Sequence, residues 1–242
     1  MAASDVSRDV EEIILEGGDR RSQVADTTQY PYRCICALRI RSPDGQSWVG
    51  SGWLSGPRTV ITAGHCVFLH RHGGWAESIE VTPGRDGTSR PYGSCVVGTA
   101  SLRSARGWTD QGSNLFDYGA IILPPDCAFG SQAGYFGFAN LSDVDLSRVV
   151  LEVSGYPADK PVFSLWRERE NSTVERVLMD RSIRYGINTT GGQSGAPVFG
   201  MFNGGFYAAG IHRTGSVRGN IATRISEEVM QNIISWTDEG PG

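Results

Sequence analysis

Apolar positions along this chain fall in short runs, with almost no long stretch of helical period. Tyr32 to Ile40, Ser47 to Leu54, Thr59 to Thr62 and Tyr118 to Leu123 are rich in aliphatic, β-branched and aromatic residues and are bounded by turn residues, which predicts strands. Val149 to Ser154, Val162 to Glu168, Ala196 to Met201 and Phe206 to His212 repeat that character, parted by turns at Tyr156-Pro157 and Asn203-Gly204-Gly205. Helical spacing is clear only at the carboxyl end, where Ile225, Val229, Ile233 and Trp236 share a face and Ser226 is a good N-cap. The pattern predicts an all-β protein of two units with a C-terminal helix docked on a barrel. Pro124-Pro125 is the expected division, since two prolines cannot continue a central strand. That gives residues 13–125 and 126–242, with 1–12 outside both as a tail.

Composition narrows the class. The 32 glycines and 11 prolines are spread along the 242 residues, the texture of a sandwich or barrel, and 39% hydrophobic with 20% charged residues is the balance of a soluble globular chain. No run of 18 apolar residues exists, so no helix is expected to span a bilayer. A formal net charge of -4 with scattered Lys and Arg gives no footprint for nucleic acid. Near the amino terminus Asp5, Asp9, Glu11 and Glu12 stand where an export signal needs a basic patch and an apolar stretch, so the chain is read as intracellular or as lacking its leader. Five cysteines, Cys34, Cys36, Cys66, Cys95 and Cys127, cannot all pair within one molecule, which weighs against a fully oxidised secreted framework and leaves their connectivity open.

Three segments carry candidate chemistry. In Gly191-Gly192-Gln193-Ser194-Gly195-Ala196-Pro197 a serine is enclosed by glycines just before an apolar strand. Glycines permit the sharp turn that gathers backbone N–H groups and leaves the hydroxyl protruding, so Gly192 and Ser194 are the expected oxyanion donors. Such a turn is more often only a turn. Thr62-Ala63-Gly64-His65-Cys66 ends a strand with one of four histidines, and a serine hydroxyl needs such a base at neutral pH. Phe116-Asp117-Tyr118-Gly119-Ala120 places an acid at the head of a strand, where it is either a turn aspartate or the group that orients His65. The order His65, Asp117, Ser194, at separations of 52 and 77 residues, is that of chymotrypsin-like double barrels and not of subtilisins or α/β-hydrolases. The bland alternative is a double barrel used only for binding.

From there the chain resembles a known family. Asp26-Thr27-Thr28, Tyr30-Pro31-Tyr32-Arg33, Val81-Thr82-Pro83-Gly84-Arg85, Asp117-Tyr118-Gly119, Gly155-Tyr156-Pro157, Gly191 to Phe199 and Thr223-Arg224-Ile225 are similar to the V8-like glutamyl endopeptidases over most of the chain beyond residue 13. The resemblance implies two six-stranded antiparallel β-barrels with a Ser-His-Asp site between them, secretion, a monomer, no cofactor or metal, and protein or peptide substrates cut after accessible Glu. It assigns carboxylate binding to Thr189 and His212; without it, His212 on an apolar strand reads as a core histidine. Gly186-Ile187-Asn188-Thr189-Thr190 holds no acid to receive Lys or Arg. The resemblance further implies a proform cut near Glu12-Ile13, with Glu16 the alternative, so that a free amine lies near the pocket. Two departures stand out. In many relatives the cysteine after the histidine is disulfide-bonded to a neighbouring strand, yet its partner position is Gly50, and Arg213 stands where a neutral residue is expected, which would put a charge near the cleft and alter affinity for acidic substrates. Cys66-x-x-x-His70-x-His72 suits no common zinc motif, and the acceptor patterns at Asn140, Asn171 and Asn188 are read as incidental.

Overall fold

The computed structural model describes residues 14–170, 175–177, 180–215 and 219–239. They form two large curled sheets. The first runs Cys95–Gly98, Ser78–Pro83, Ile35–Arg41, Ser47–Leu54, Thr59–Thr62, Gly119–Ile122 and Leu102–Ser104, all antiparallel. The second runs Ser22–Gln23, Trp166–Glu170, Leu151–Gly155, Pro197–Phe202, Gly205–Thr214, Asn220–Arg224, Ser182–Tyr185 and Glu175–Val177, with Gly137–Phe138 added parallel to Gly205–Thr214. Seven and nine strands replace the expected six and six because two- and three-residue strands extend the sheets: Leu102–Ser104 in the first, Ser22–Gln23, Gly137–Phe138 and Glu175–Val177 in the second. Ser22–Gln23 pairs with Arg167 and Trp166, so the amino-terminal stretch belongs to the second sheet.

The expected strands form within a few residues of their predicted bounds, with one informative exception. The run beginning at Val162 becomes a strand only at Trp166. Before it Phe163 takes φ 57° and Ser164 bonds back to the Pro161 carbonyl, so the chain turns there despite its apolar residues. Trp53, Leu54, Leu38, Ile61, Ile79 and Ile121 fill the first sheet, while Leu151, Val153, Ile183, Ile187 and Val198 fill the second. Tyr156, Phe199 and Ile211 of the second half join the first core, so the two sheets share one apolar contact. The helix Glu227–Asp238 closes the chain on the first sheet. Val229, Ile233 and Trp236 are buried, each worth about 1.5–3 kcal/mol relative to exposure. Asn232 Nδ2 also donates to Tyr118 Oη at 2.7 Å.

The cysteines resolve into one bridge, Cys95–Cys127, and three buried free thiols, Cys34, Cys36 and Cys66. Burial pushes the Cys34 thiol up to about 12 and raises Cys36 as well. No helix among the described residues is long and apolar enough to cross a membrane.

Candidate active site

The site begins with a strand pair. Gly119 lies opposite Thr62, so the turn Asn114–Phe116 that leads into one strand faces the one-turn helix Gly64–Val67 that follows the other. Asp117 therefore meets His65 at two points. His65 N–H donates to Asp117 Oδ1 at 2.8 Å, and Nδ1 lies 2.8 Å from Oδ2. Burial resists charge on the imidazole, but the adjacent carboxylate outweighs it and holds the His65 pKa well above that of ordinary histidine. Burial likewise opposes the Asp117 anion, and the His65 contacts, with the charge of Arg213, win and lower its pKa. With Asp117 ionised, Nδ1 carries the proton and Nε2 of neutral His65 is left as an acceptor.

The Ser194 turn is fastened to this strand pair from the second sheet. Ser51 N–H donates to the Ser194 carbonyl at 2.8 Å, and Ser51 Oγ donates to the Gly192 carbonyl at 2.8 Å. Gly192 has φ 91°, and a Cβ there would stand 2.4 Å from the Tyr156 carbonyl oxygen. Gly195 has φ 86°, and its Cβ would meet Thr62 Oγ1 at 2.1 Å and Ala63 N at 2.8 Å. Only glycine fits either position, and the Ser194 carbonyl oxygen lies 3.6 Å from Sγ of Cys66, the residue after His65. Neither Gly192 N–H nor Ser194 N–H is engaged by an acceptor among the described residues.

Beside the turn, the backbone of His212 is tied to it: Gly195 N–H donates to the His212 carbonyl at 2.7 Å, and His212 N–H to the Ala196 carbonyl at 2.9 Å. Burial, with the His65 and Arg213 charges nearby, pulls the His212 pKa down to about 3, so its ring is neutral. Tyr185 Oη sits 2.5 Å from Nδ1 and is buried with no other acceptor among the described residues. It donates to Nδ1, which leaves the ring proton on Nε2. Thr189 is buried five residues before Ser194, and its hydroxyl has no hydrogen bond with the described residues.

No family model matches the chain. It is 35% identical over 225 residues to a Bacillus subtilis protein named extracellular metalloprotease, covering 92% of this chain and 69% of that one. To a Bacillus licheniformis protein named glutamyl endopeptidase it is 36% identical over 228 residues, covering 91% and 68%. The chain belongs to the V8-like glutamyl endopeptidase family. As a member of that family it is a serine endopeptidase acting on protein substrates. A solved structure of Glu endopeptidase in complex with MPD matches its fold with TM-score 0.79 over 93% of this chain and all of that one, at 24% identity.

The family's two departures acquire a physical form. Arg213, expected to place charge near the cleft, is buried at a bulge in its strand; it donates to the Asn114 carbonyl and, at 2.8 Å, to Ser182 Oγ, so it ties the Asp117 turn to the second sheet. At Gly50 a Cβ would stand 3.1 Å from Cys66 Sγ, against only the Ile40 methyl at 3.0 Å. Across a disulfide that separation is about 3 Å, as an S–S bond of about 2.0 Å requires. Gly50→Cys in this endopeptidase is therefore expected to bridge to Cys66. Free thiols should fall from the three present to two, and stability should rise by about 3 kcal/mol, read as a higher Tm. Four titratable thiols with an unchanged Tm would contradict it.

His70 and His72 turn away from Cys66: His70 Nε2 pairs with the Trp108 carbonyl and His72 Nδ1 with Asp44, each at 2.8 Å. Asn188 is buried against Glu168 and Gly18, while Asn171, Glu12 and Ile13 lie outside the described residues. Sequence reasoning missed Tyr185 beside His212, and Arg21, whose guanidinium reaches Asp159 and Gln193 next to Ser194. Nothing in a strand tyrosine or in a polar amino-terminal stretch signals such contacts.

Proposed function

We propose that the enzyme hydrolyses peptide bonds after Glu through an acyl-enzyme on Ser194. Carrying the reading is the two-point grip of Asp117 on His65 beside a glycine turn whose Gly192 and Ser194 N–H groups are unengaged. Ser194 Oγ attacks the scissile carbonyl while His65 Nε2 takes its proton, and the oxyanion forms against those two N–H groups. His65 then delivers the proton to the leaving amine. Water repeats the sequence on the ester, returning the proton to Ser194.

Specificity follows from donors. In this reading the Thr189 hydroxyl and His212 Nε2–H receive the substrate carboxylate, whose desolvation needs compensation; both side chains are buried, and Tyr185 at Nδ1 leaves the His212 proton on Nε2. Because His212 is neutral, a cation is still wanted. Leu15 N–H donates to Oδ1 of Asn188, the neighbour of Thr189, at 2.8 Å, and a chain cut at Glu12-Ile13 would begin two residues before that bond. A proform activated there is part of this reading, as is secretion, supported by the word extracellular in the relative's name. Amino-terminal sequencing of the active form, alongside chains begun at Met1 and at Ile13, tests the cut; equal activity of the two on Glu peptides would end it.

Peptides with Asp in place of Glu should be about 10 to 200-fold poorer, since one methylene less leaves the carboxylate short of both donors. Thr189→Val should cost about 10 to 150-fold in kcat/KM for Glu peptides, the worth of a hydrogen bond to a charged group. Faster cleavage after Arg or Leu than after Glu would overturn the pocket. Chelators should leave hydrolysis intact; its loss would favour the metal chemistry in the Bacillus subtilis relative's name.

A further inference from the structure

The amino-terminal stretch does more than add an edge strand. Arg20 and Arg21 leave it in different directions. Arg20 bonds Glu168 Oε1 at 2.9 Å and the Gly186 carbonyl at 2.8 Å, behind the Asn188–Thr189 wall. Arg21 has a fully buried side chain. Its guanidinium holds Asp19 through two parallel bonds of 2.9 and 3.0 Å and Asp159 through bonds of 2.5 and 3.1 Å. The same Nη1 reaches Thr190 Oγ1 at 2.8 Å and Gln193 Oε1 at 3.1 Å.

Gln193 immediately precedes Ser194 and is wholly buried. Its Oε1 accepts from Arg21 and from its own turn, Thr190 N–H at 3.0 Å, while Gln193 N–H returns to the Thr190 carbonyl at 3.1 Å. Its Nε2 has no partner among the described residues, so only the two bonds to Oε1 hold the amide. Asp159 closes the other side: it accepts from Thr190 Oγ1 at 2.5 Å, and its neighbour Ala158 N–H donates to the Gly191 carbonyl at 2.7 Å. A buried guanidinium is a costly way to fasten an edge strand, because it gives up its hydration while its two carboxylate partners stay partly exposed. What this one fixes is the ring of turn residues 190–193, and the next N–H along the chain is that of Ser194.

We propose that Arg21 is a positioning residue for the oxyanion turn: through Gln193 and Thr190 it sets the direction of the Ser194 N–H, so oxyanion stabilisation depends on docking of the amino-terminal strap. The proposal rests on the reading of Gly192 and Ser194 as oxyanion donors. A misdirected donor weakens the transition state more than the bound substrate, since the oxyanion exists only there.

Arg21→Met keeps the bulk and removes the charge. It should lower kcat for Glu peptides roughly 10²-fold, the scale of a misplacement of about 1 Å, with KM changed less than about threefold. A peptide boronic acid ending in the Glu analogue should lose affinity in parallel with kcat/KM. Arg21→Lys should recover part of the rate, as should guanidinium ion added to Arg21→Met. Gln193→Met leaves Arg21 in place but removes the one acceptor it has on the residue before Ser194. In the double variant Arg21→Met/Gln193→Met the rate should fall no further than in the worse single, because both break one linkage. All rates are taken per folded molecule, judged by circular dichroism. A kcat within twofold of the parent, a loss confined to KM, unchanged boronate affinity or additive effects would overturn the proposal. If Ser194→Ala itself kept its activity, the underlying reading would fall instead.

Discussion

Ser194→Ala is expected to lower kcat by about 10⁶-fold, leaving the residual acceleration of about 10³ to 10⁴ over water that binding and the oxyanion donors alone supply. The fold should survive. Ser194 is tied into its turn by its carbonyl, which accepts from Ser51 N–H, and its side chain enters no hydrogen bond with the described residues, so removing the hydroxyl leaves no buried group unsatisfied. Glu-peptide turnover with the purified variant checks this, beside a thermal melt matching the parent. Near-parental turnover would remove Ser194 from the mechanism.

Asp117→Asn should cost about 10⁴-fold in kcat. Asparagine keeps one oxygen for the His65 N–H bond of 2.8 Å but sets an NH₂ against Nδ1, where the carboxylate accepted. The imidazole then carries its proton on Nε2 and cannot take the one from Ser194. A second signature separates this from general damage. His65 must be neutral to act as base, so kcat/KM climbs as pH rises through its pKa, and in the parent that limb lies above the ordinary histidine value near 6.5 because Asp117 favours the charged ring. In Asp117→Asn the carboxylate's pull is gone while burial still opposes charge on the ring, and the residual limb should move to lower pH. A limb that stays in place while the rate falls would mean that Asp117 does not set the His65 pKa.

Much of this architecture is legible in the sequence because its determinants are local. Strand segments such as Ser47–Leu54 and Thr59–Thr62 are recognisable from short apolar runs closed by Gly, Pro and Asn, and the Glu227–Asp238 helix from its 3.6-residue period. Residues on either side of a strand end, like His65 after Thr59–Thr62 and Asp117 before Gly119–Ile122, stand out for the same reason, while their mutual contact depends on a pairing of Gly119 with Thr62 that no local pattern specifies. What stays hidden is what distant chain segments bring to one point. Arg21 looks like one more charge in a polar stretch, and charged side chains are rarely buried, yet it lies against residues 159, 190 and 193. Arg213 reads as a cleft charge until the bulge between His212 and Thr214 turns it inward to Asn114. Tyr185 becomes part of the site only through the pairing of Ser182–Tyr185 with Asn220–Arg224, which sets it beside His212. The short strands escape for a related reason: two residues carry no period.

The central claim is that Ser194 carries an activated hydroxyl, and the most direct measurement is covalent labelling by a serine-directed fluorophosphonate, read by intact mass and peptide mapping. One adduct per molecule should form on Ser194, with hydrolysis lost in step, much more slowly in Asp117→Asn and not at all in Ser194→Ala. An enzyme that cleaves Glu peptides but forms no adduct, or forms it on another residue, would contradict the account.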